Sequence, residues 1–283
     1  MLSIVVPAHN EEGNIPKLLA ELTHELDAAQ VSDFELIVVD DNSRDATSAL
    51  VTEFAERDPR VRLVRRRPPA GFGRAIRAGL EEVRGEFVVI CMADLSDDPQ
   101  DVIGYYKKLL EGYDCVFGSR FIKGGFTENY PRRKLLVNRL VNRGTQALFM
   151  THHNDLTNAF KAYRTHVVKD CGPYRSSHFN ITLEMSLSAL IRRYHIAVMP
   201  IRWYGRDSGV SKLKITEMGR RYLSTLLMML AQRVLISDDL MAETVAHRAK
   251  AQAEVERLRA QLTAMEAELA RAQGREPQMA AAG

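Results

Sequence analysis

The chain has 283 residues, 46% of them hydrophobic and 27% charged, which is the make-up of a soluble globular protein long enough to bury a sizeable core. Its net charge of +3 is too small to call for nucleic acid as a partner. Three scattered cysteines with no Cys-x-x-Cys argue against a disulfide framework or a zinc site and fit a reducing compartment.

The N-terminal MLSIVVPAHN lacks the basic start and the apolar length of a signal peptide, and no window of 18 apolar residues offers a membrane span. Over the first 120 residues, short apolar runs alternate with helical periodicities. Strands are predicted at Leu2–Val6, Phe34–Val39, Val61–Val64, Phe87–Met92 and Cys115–Phe117, with helices at Ile15–Leu26, Ala46–Phe54, Ala75–Val83 and Val102–Leu110. Such alternation predicts an α/β fold with a mostly parallel sheet and helices on both faces. Beyond it, Pro131–Met150 reads as a helix with Leu135, Leu136, Leu140, Val141 and Leu148 on its apolar side. A strand at Phe160–Tyr163, a helix at Ile181–Arg193 and a strand at Ile196–Trp203 follow.

Met218–Ile236 carries a broad stripe of Leu223, Leu226, Leu227, Leu230, Val234 and Leu235 flanked by Arg220, Arg221 and Arg233. Either this helix packs on the domain or it lies in a membrane interface. Residues 239–273 contain no aromatic, glycine or proline, and Val255, Leu258, Leu262, Met265 and Leu269 follow 3-4 spacing. That pattern fits a short coiled coil or a solvated single helix. Three segments result: a catalytic domain over 1–217, an amphipathic helix over 218–236, and a helical tail over 237–283 with a disordered end.

Three loops carry the chemistry. VVPAHNEEGNI brings Pro7, His9 and Glu11 to the carboxyl edge of the sheet beside a helix N-terminus, which favours anions. VVDDNSRDAT ends the second strand at Val39 and Asp41, with Asp45 placed to cap the next helix. ICMADLSDDP places Asp94 at the end of a buried run, where open α/β sheets bind ligands and a carboxylate can hold a cation against a pyrophosphate. Asp98 before Pro99 reads as an N-cap, and Asp97 as part of the same helix start. From Arg120 to Arg143, seven basic residues accompany one acid, Glu128, so an anionic partner is expected there. The glycines of GFGRAIRAG (Gly71, Gly73, Gly79) miss the dinucleotide spacing, and His152 and His153 read as loop residues.

Taken in order, VVPAHNEEGNI, VVDDNSRDAT, GFGRAIRAGL, MADLSDDP, FGSRF and GRDSGVSKLK resemble family 2 glycosyltransferases over about residues 1–236, and most closely the dolichol-phosphate mannose synthase branch with its polyprenyl-phosphate relatives. The resemblance implies a glycosyltransferase-A, Rossmann-like fold, a nucleotide-sugar donor, Mg2+ or Mn2+, and a polyprenyl phosphate acceptor. It assigns nucleotide-sugar binding to Pro7, His9, Glu11, Val39, Asp41, Ala93 and Arg206, and the metal to Asp94 and Ser96. Asp94, Arg120 and Lys212 become the catalytic set, with Arg120, Arg132 and Arg133 toward the acceptor phosphate. One position departs from the pattern: Met92 stands where the Asp-x-Asp motif has its first aspartate, which leaves a cation to Asp94, the diphosphate, Ser96 and water.

Direct displacement would transfer a hexose, mannose or glucose, with inversion. Peripheral attachment to the cytoplasmic face of a membrane is expected, with the tail pairing chains or meeting a membrane-spanning partner. Two rivals remain at this point. One is a soluble or polysaccharide acceptor, for which Glu184 is either a base or a helix-face acid; the other is a non-catalytic nucleotide-sugar-binding scaffold.

Overall fold

The computed structural model describes residues 1–205 and 215–275. The elements run β1 (Leu2–Ala8), α1 (Ile15–Ala28), β2 (Phe34–Asp40), α2 (Thr47–Arg57), β3 (Val61–Arg65), α3 (Phe72–Glu81), β4 (Phe87–Ile90), α4 (Pro99–Leu110) and β5 (Cys115–Ser119). They continue with β6 (Phe126–Thr127), α5 (Arg132–Phe149), β7 (Lys161–Arg164), α6 (Thr165–Cys171), α7 (Ile181–Ile191), β8 (Ile196–Pro200), β9 (Arg202–Trp203), α8 (Ile215–Leu235) and α9 (Ser237–Arg275). Two compact units emerge, Met1–Ser237 and Asp238–Gly283.

In the first unit seven strands form one sheet in the order β3-β2-β1-β4-β7-β5-β8, parallel except for β7. β1, β2 and β4 are buried on both faces, which is why they read as unbroken apolar runs rather than alternating ones. On one face Leu2, Ile4, Val6, Leu36 and Val38 join a core with α1, α2 and α4. α1 meets it through Leu18, Leu19, Leu22 and Leu26, an apolar stripe at helical spacing. On the other face Gly79 of α3 lies against Val5 and Val39, so close that a Cβ there would stand 2.4 Å from a Val5 methyl. Gly71 and Gly73 instead let the start of α3 approach the backbone at Ser176 and Ser177. β1 has β2 on one side and β4 on the other, so chain order reverses at β1, and a crevice opens at the carboxyl ends of these strands.

The predicted fold class holds, with local differences. β4 ends at Ile90, the last residue paired with both β1 and β7; the next N–H but one, that of Met92, goes to a carboxylate instead. The strand predicted over Ile196–Trp203 is two strands, because β8 pairs with β5 and β9 with β6. β6 and α6 are too short to leave a periodic signal.

The two amphipathic helices are turned opposite to a usual core helix. α5 buries Asn142, Thr145 and Phe149 and leaves Leu136 and Leu140 72% and 70% exposed. The Asn142 carboxamide explains this: its oxygen accepts the Leu156 N–H at 2.7 Å and its nitrogen donates to Thr157 Oγ1 at 3.0 Å. α8 packs through Thr225 and Met229 and exposes Leu223, Leu227, Val234 and Leu235. Among the described residues no helix is long and apolar enough to cross a membrane.

Candidate active site

The loops after β1 and β2 are stitched together. His9 Nδ1 lies 2.7 Å from the Asp41 carbonyl oxygen, the Asn10 N–H donates to Ser43 Oγ, and the Arg44 N–H donates to Asn10 Oδ1. Asn10 and Asn42 occupy the left-handed region at φ 54° and 64°, which asparagine tolerates and which turns each loop back on itself. Asp45 accepts the Thr47 N–H at the start of α2, the capping contact its position predicted, and its second oxygen accepts the Glu12 N–H. The Glu11 carboxylate accepts the side-chain amide of Asn14.

A cavity of about 620 Å³ opens here between His9, Asn10, Asn42, Ser43, Arg44 and Pro68. Pro7 and Val39 are buried beneath it in the sheet. Val39 therefore offers a ligand no side chain. Asp41 is 5% exposed; one oxygen accepts the Gly71 N–H at 2.6 Å and the other pairs with the Arg66 guanidinium. Its carboxylate thus anchors the segment leading into α3.

At the end of β4 the chain folds sharply. Leu95 has φ 59°, a conformation costing a branched aliphatic residue roughly 1–2 kcal/mol, so its surroundings must hold it there. They do so with five contacts. Asp94 Oδ1 accepts from Ser96 Oγ at 2.5 Å and from the Ser96 N–H at 3.2 Å. The Met92 N–H donates to Asp97 Oδ2 at 2.9 Å, the Tyr204 N–H donates to the Ser96 carbonyl, and Asp97 bridges Trp203. Asp98 caps α4 as predicted, accepting the Gln100 N–H at 2.9 Å.

Asp97 is not part of that cap. It is 2% exposed, and burial pushes its carboxyl up to about 8, helped by the negative charge of Asp94 and opposed by the Met92 N–H and by Arg120. Sequence reasoning placed it in the helix start because nothing in DLSDDP distinguishes a carboxylate turned inward from one turned to solvent.

Arg120 is buried, and it is committed to Asp155. Its Nε and Nη2 donate to the two Asp155 oxygens at 2.8 and 2.7 Å, and its backbone N–H donates to the same carboxylate. Burial alone would favour the neutral form, but Asp155 outweighs it and holds the guanidinium firmly charged. One edge of the fork is therefore occupied. Lys161, 1% exposed on β7, donates to the Leu156 and Asn158 carbonyls, and burial lowers its ammonium to about 7.

Met92, Asp94, Ser96, Asp97, Arg120 and Lys134 share a cavity of about 380 Å³. A second one, also about 380 Å³ and mostly apolar, is lined by Val137, Val141, Leu223 and Leu226 of α5 and α8. The two share Tyr130, Lys134, Asn138, Thr157 and Tyr222, so the chamber that holds the charged residues continues into a more apolar groove. Arg132 and Arg133 are exposed and line neither cavity; Lys134, one residue on, lines both. The α-helical turn explains the difference, since Lys134 and Asn138 share a face that the two preceding arginines do not. Arg206 and Lys212 lie outside the described residues. Glu184 accepts the Arg175 and Ser176 N–H groups while 4% exposed, so it clamps a loop instead of serving as a base.

Among the described residues no three His, Cys, Asp or Glu side chains group to hold a metal. Asp94 and Asp97, both on the chamber wall, supply hard oxygen donors that suit a divalent cation only if a ligand such as a diphosphate adds more.

Residues 3–172 match the family described as "Glycosyl transferase family 2". The chain is 30% identical over 216 residues to the polyprenol monophosphomannose synthase of Mycolicibacterium smegmatis, spanning 74% of this chain and 80% of that one. It is also 30% identical over 215 residues to the dolichol-phosphate mannosyltransferase of Pyrococcus furiosus, covering 75% of this chain but 59% of that longer protein. In structure it resembles the glucosyl-3-phosphoglycerate synthase of Mycobacterium tuberculosis, with a TM-score of 0.64 at 20% identity over 82% of this chain and 80% of that one. That synthase has also been solved with Mn2+, UDP-glucose and phosphoglyceric acid. With a family match over more than half its length and a glycosyltransferase-A sheet, the chain belongs to glycosyltransferase family 2.

Proposed function

We propose that the chain transfers a hexose, mannose or glucose, from a nucleoside diphosphate sugar to a polyprenyl phosphate, inverting the anomeric carbon. The observation that carries this reading is the continuity of the chamber at Asp94, Arg120 and Lys134 with the apolar groove between α5 and α8. A phosphate at the junction would meet cationic groups while its isoprenoid chain follows the groove. The named substrates of the two mannosyl relatives support the same class of acceptor.

The chemistry asks little proton transfer of the protein. A phosphate monoester is largely ionised near neutral pH, so its oxygen can attack without a general base. The demand is electrostatic, because two anions must meet and a diphosphate must leave. In this reading His9, Asn10, Asn42 and Ser43 line the nucleoside cavity, with Glu11 and Asp41 in the loops that form it; Asp94 faces the diphosphate, and Arg120, braced by Asp155, and Lys134 face the acceptor phosphate. Arg206 and Lys212 complete the cationic set in this reading. Mg2+ or Mn2+ at Asp94 would neutralise the leaving diphosphate.

The outward leucines of α5 and α8, with exposed Arg132 and Arg133, suit docking on an anionic cytoplasmic leaflet, where each basic residue contributes about 1 kcal/mol. The tail would then pair chains or meet a membrane-spanning partner.

The test is a panel of radiolabelled GDP- and UDP-hexoses with a short polyprenyl phosphate, Mn2+ or Mg2+, and detergent. Sugar should appear in the lipid extract for one donor. Donor turnover that needs a water-soluble acceptor, or no turnover with any donor, would sink the proposal.

A further inference from the structure

The Asp-x-Asp position occupied by Met92 lacks a carboxylate, yet a carboxylate stands beside it. Asp97 Oδ2 accepts the Met92 N–H at 2.9 Å, so the Asp97 side chain is brought against residue 92 from five positions downstream. Leu95 in its left-handed conformation makes the reversal, and the bonds of Ser96 to Asp94 and Tyr204 fix it. Asp97 is 2% exposed and Asp94 6% exposed, and both line two cavities that meet at this loop.

Among the described residues the environment of Asp97 is poor in compensating charge. Asp94 and Asp101 are like-charged neighbours, and the opposing cation, Arg120, is engaged on both Asp155 oxygens. Its Oδ1 has no hydrogen bond among the described residues. A buried carboxylate with an unused oxygen, beside a second carboxylate, at the wall of a chamber, is a position that a cation relieves.

We infer that Asp97 replaces the missing aspartate of the motif and, with Asp94, holds the divalent cation together with diphosphate oxygens. The inference rests on the proposed use of such a cation, and it adds which residues of this chain provide for it. Asp94 and Asp97 lie three apart in sequence rather than two, and the turn at Leu95 closes that gap. Met92 itself is left without a role toward the cation.

Mn2+ binding can be measured without turnover, from the loss of the free-ion electron paramagnetic resonance signal, in the presence of GDP or UDP. The parent should bind one Mn2+. Asp97→Asn keeps an acceptor for the Met92 N–H and should weaken binding about tenfold or more. Met92→Ala should leave it unchanged, and Met92→Asp on the Asp97→Asn background should restore it. The melting temperature of each variant without metal reports whether the loop survives.

Should Asp97→Asn not fold, the parent still answers: anomalous diffraction at the manganese edge must place the ion in contact with Asp97. Equal Mn2+ affinity for folded Asp97→Asn and parent, or an ion remote from Asp97, overturns this inference and leaves the proposed function standing. A parent that binds no Mn2+ with either nucleotide overturns the inference and the cation dependence with it.

Discussion

Asp94, Asp155 and Lys161 are all buried, and each is expected to respond differently to substitution. Asp94 accepts from its near neighbour Ser96 through one carboxylate oxygen, a local contact that an asparagine oxygen can keep, so the fold is expected to survive loss of its charge. Asp94→Asn should lower transfer about a hundredfold or more, equivalent to roughly 3 kcal/mol of transition-state stabilisation, with an unchanged melting temperature. Comparable rates at saturating metal would remove it from the mechanism. Asp155 is 4% exposed and neutralises a buried guanidinium. Asp155→Ala should therefore cost about 3–5 kcal/mol in urea unfolding, because Arg120 is left charged without a partner.

Lys161 gives a pH signature. Burial lowers its pKa from 10.5 to about 7, so between these values the unfolded chain binds a proton that the folded chain does not. Its contribution must rise with pH through that window and be flat below it. The neutral amine still has two hydrogens for the two carbonyls it serves. Lys161→Met should lose this rise, seen as a smaller gain in unfolding midpoint from pH 7 to 9 than the parent shows. Parallel midpoint curves would mean that Lys161 titrates normally.

At the scale of elements, α3 and the pair α5 and α8 show two ways a helix meets its surroundings. Gly73 of α3 lies so near the segment after α6 that a Cβ would stand 2.5 Å from the Ser176 carbonyl oxygen. Gly73→Ala should then destabilise by about 1–3 kcal/mol, as overpacking against backbone does. α5 and α8 present leucines outward because their inward faces are occupied by Asn142, Thr145 and Thr225: Asn142 donates to Thr157, Thr225 accepts from Asn180, and Thr145 donates back to the Val141 carbonyl of α5. Exposed leucines in this number suit an interface. Binding to anionic vesicles should weaken as salt rises, through screening of Arg132 and Arg133. It should fall further when Leu136, Leu140, Leu223 and Leu227 become serine. A parent protein that ignores such vesicles at low salt would instead assign these faces to a protein partner.

For the whole molecule, the site depends on loops from many parts of one sheet, and the tail is a separate unit. α9 exposes Val255, Leu258, Leu262, Met265 and Leu269, the stripe at 3-4 spacing that suits pairing with a second copy. Light scattering should report a dimer for the full chain and a monomer for Leu258→Glu with Leu262→Glu, with transfer unaffected. A parent that is already monomeric would make α9 a solvated single helix.

The order of strands and helices was legible because apolar runs buried on both faces and 3.6-residue stripes are local patterns, and so were the caps at Asp45 and Asp98. The family was legible because its loops occur in a fixed order along the chain. What the sequence could not carry was direction. Whether Asp97 points inward, whether Arg120 has a buried counter-ion 35 residues away, and whether the leucines of α5 face core or solvent depend on groups remote in sequence. Those choices are made when Asn142, Asp155 and Ser96 find their partners in the packed chain, because a buried polar group must be satisfied wherever the fold places it.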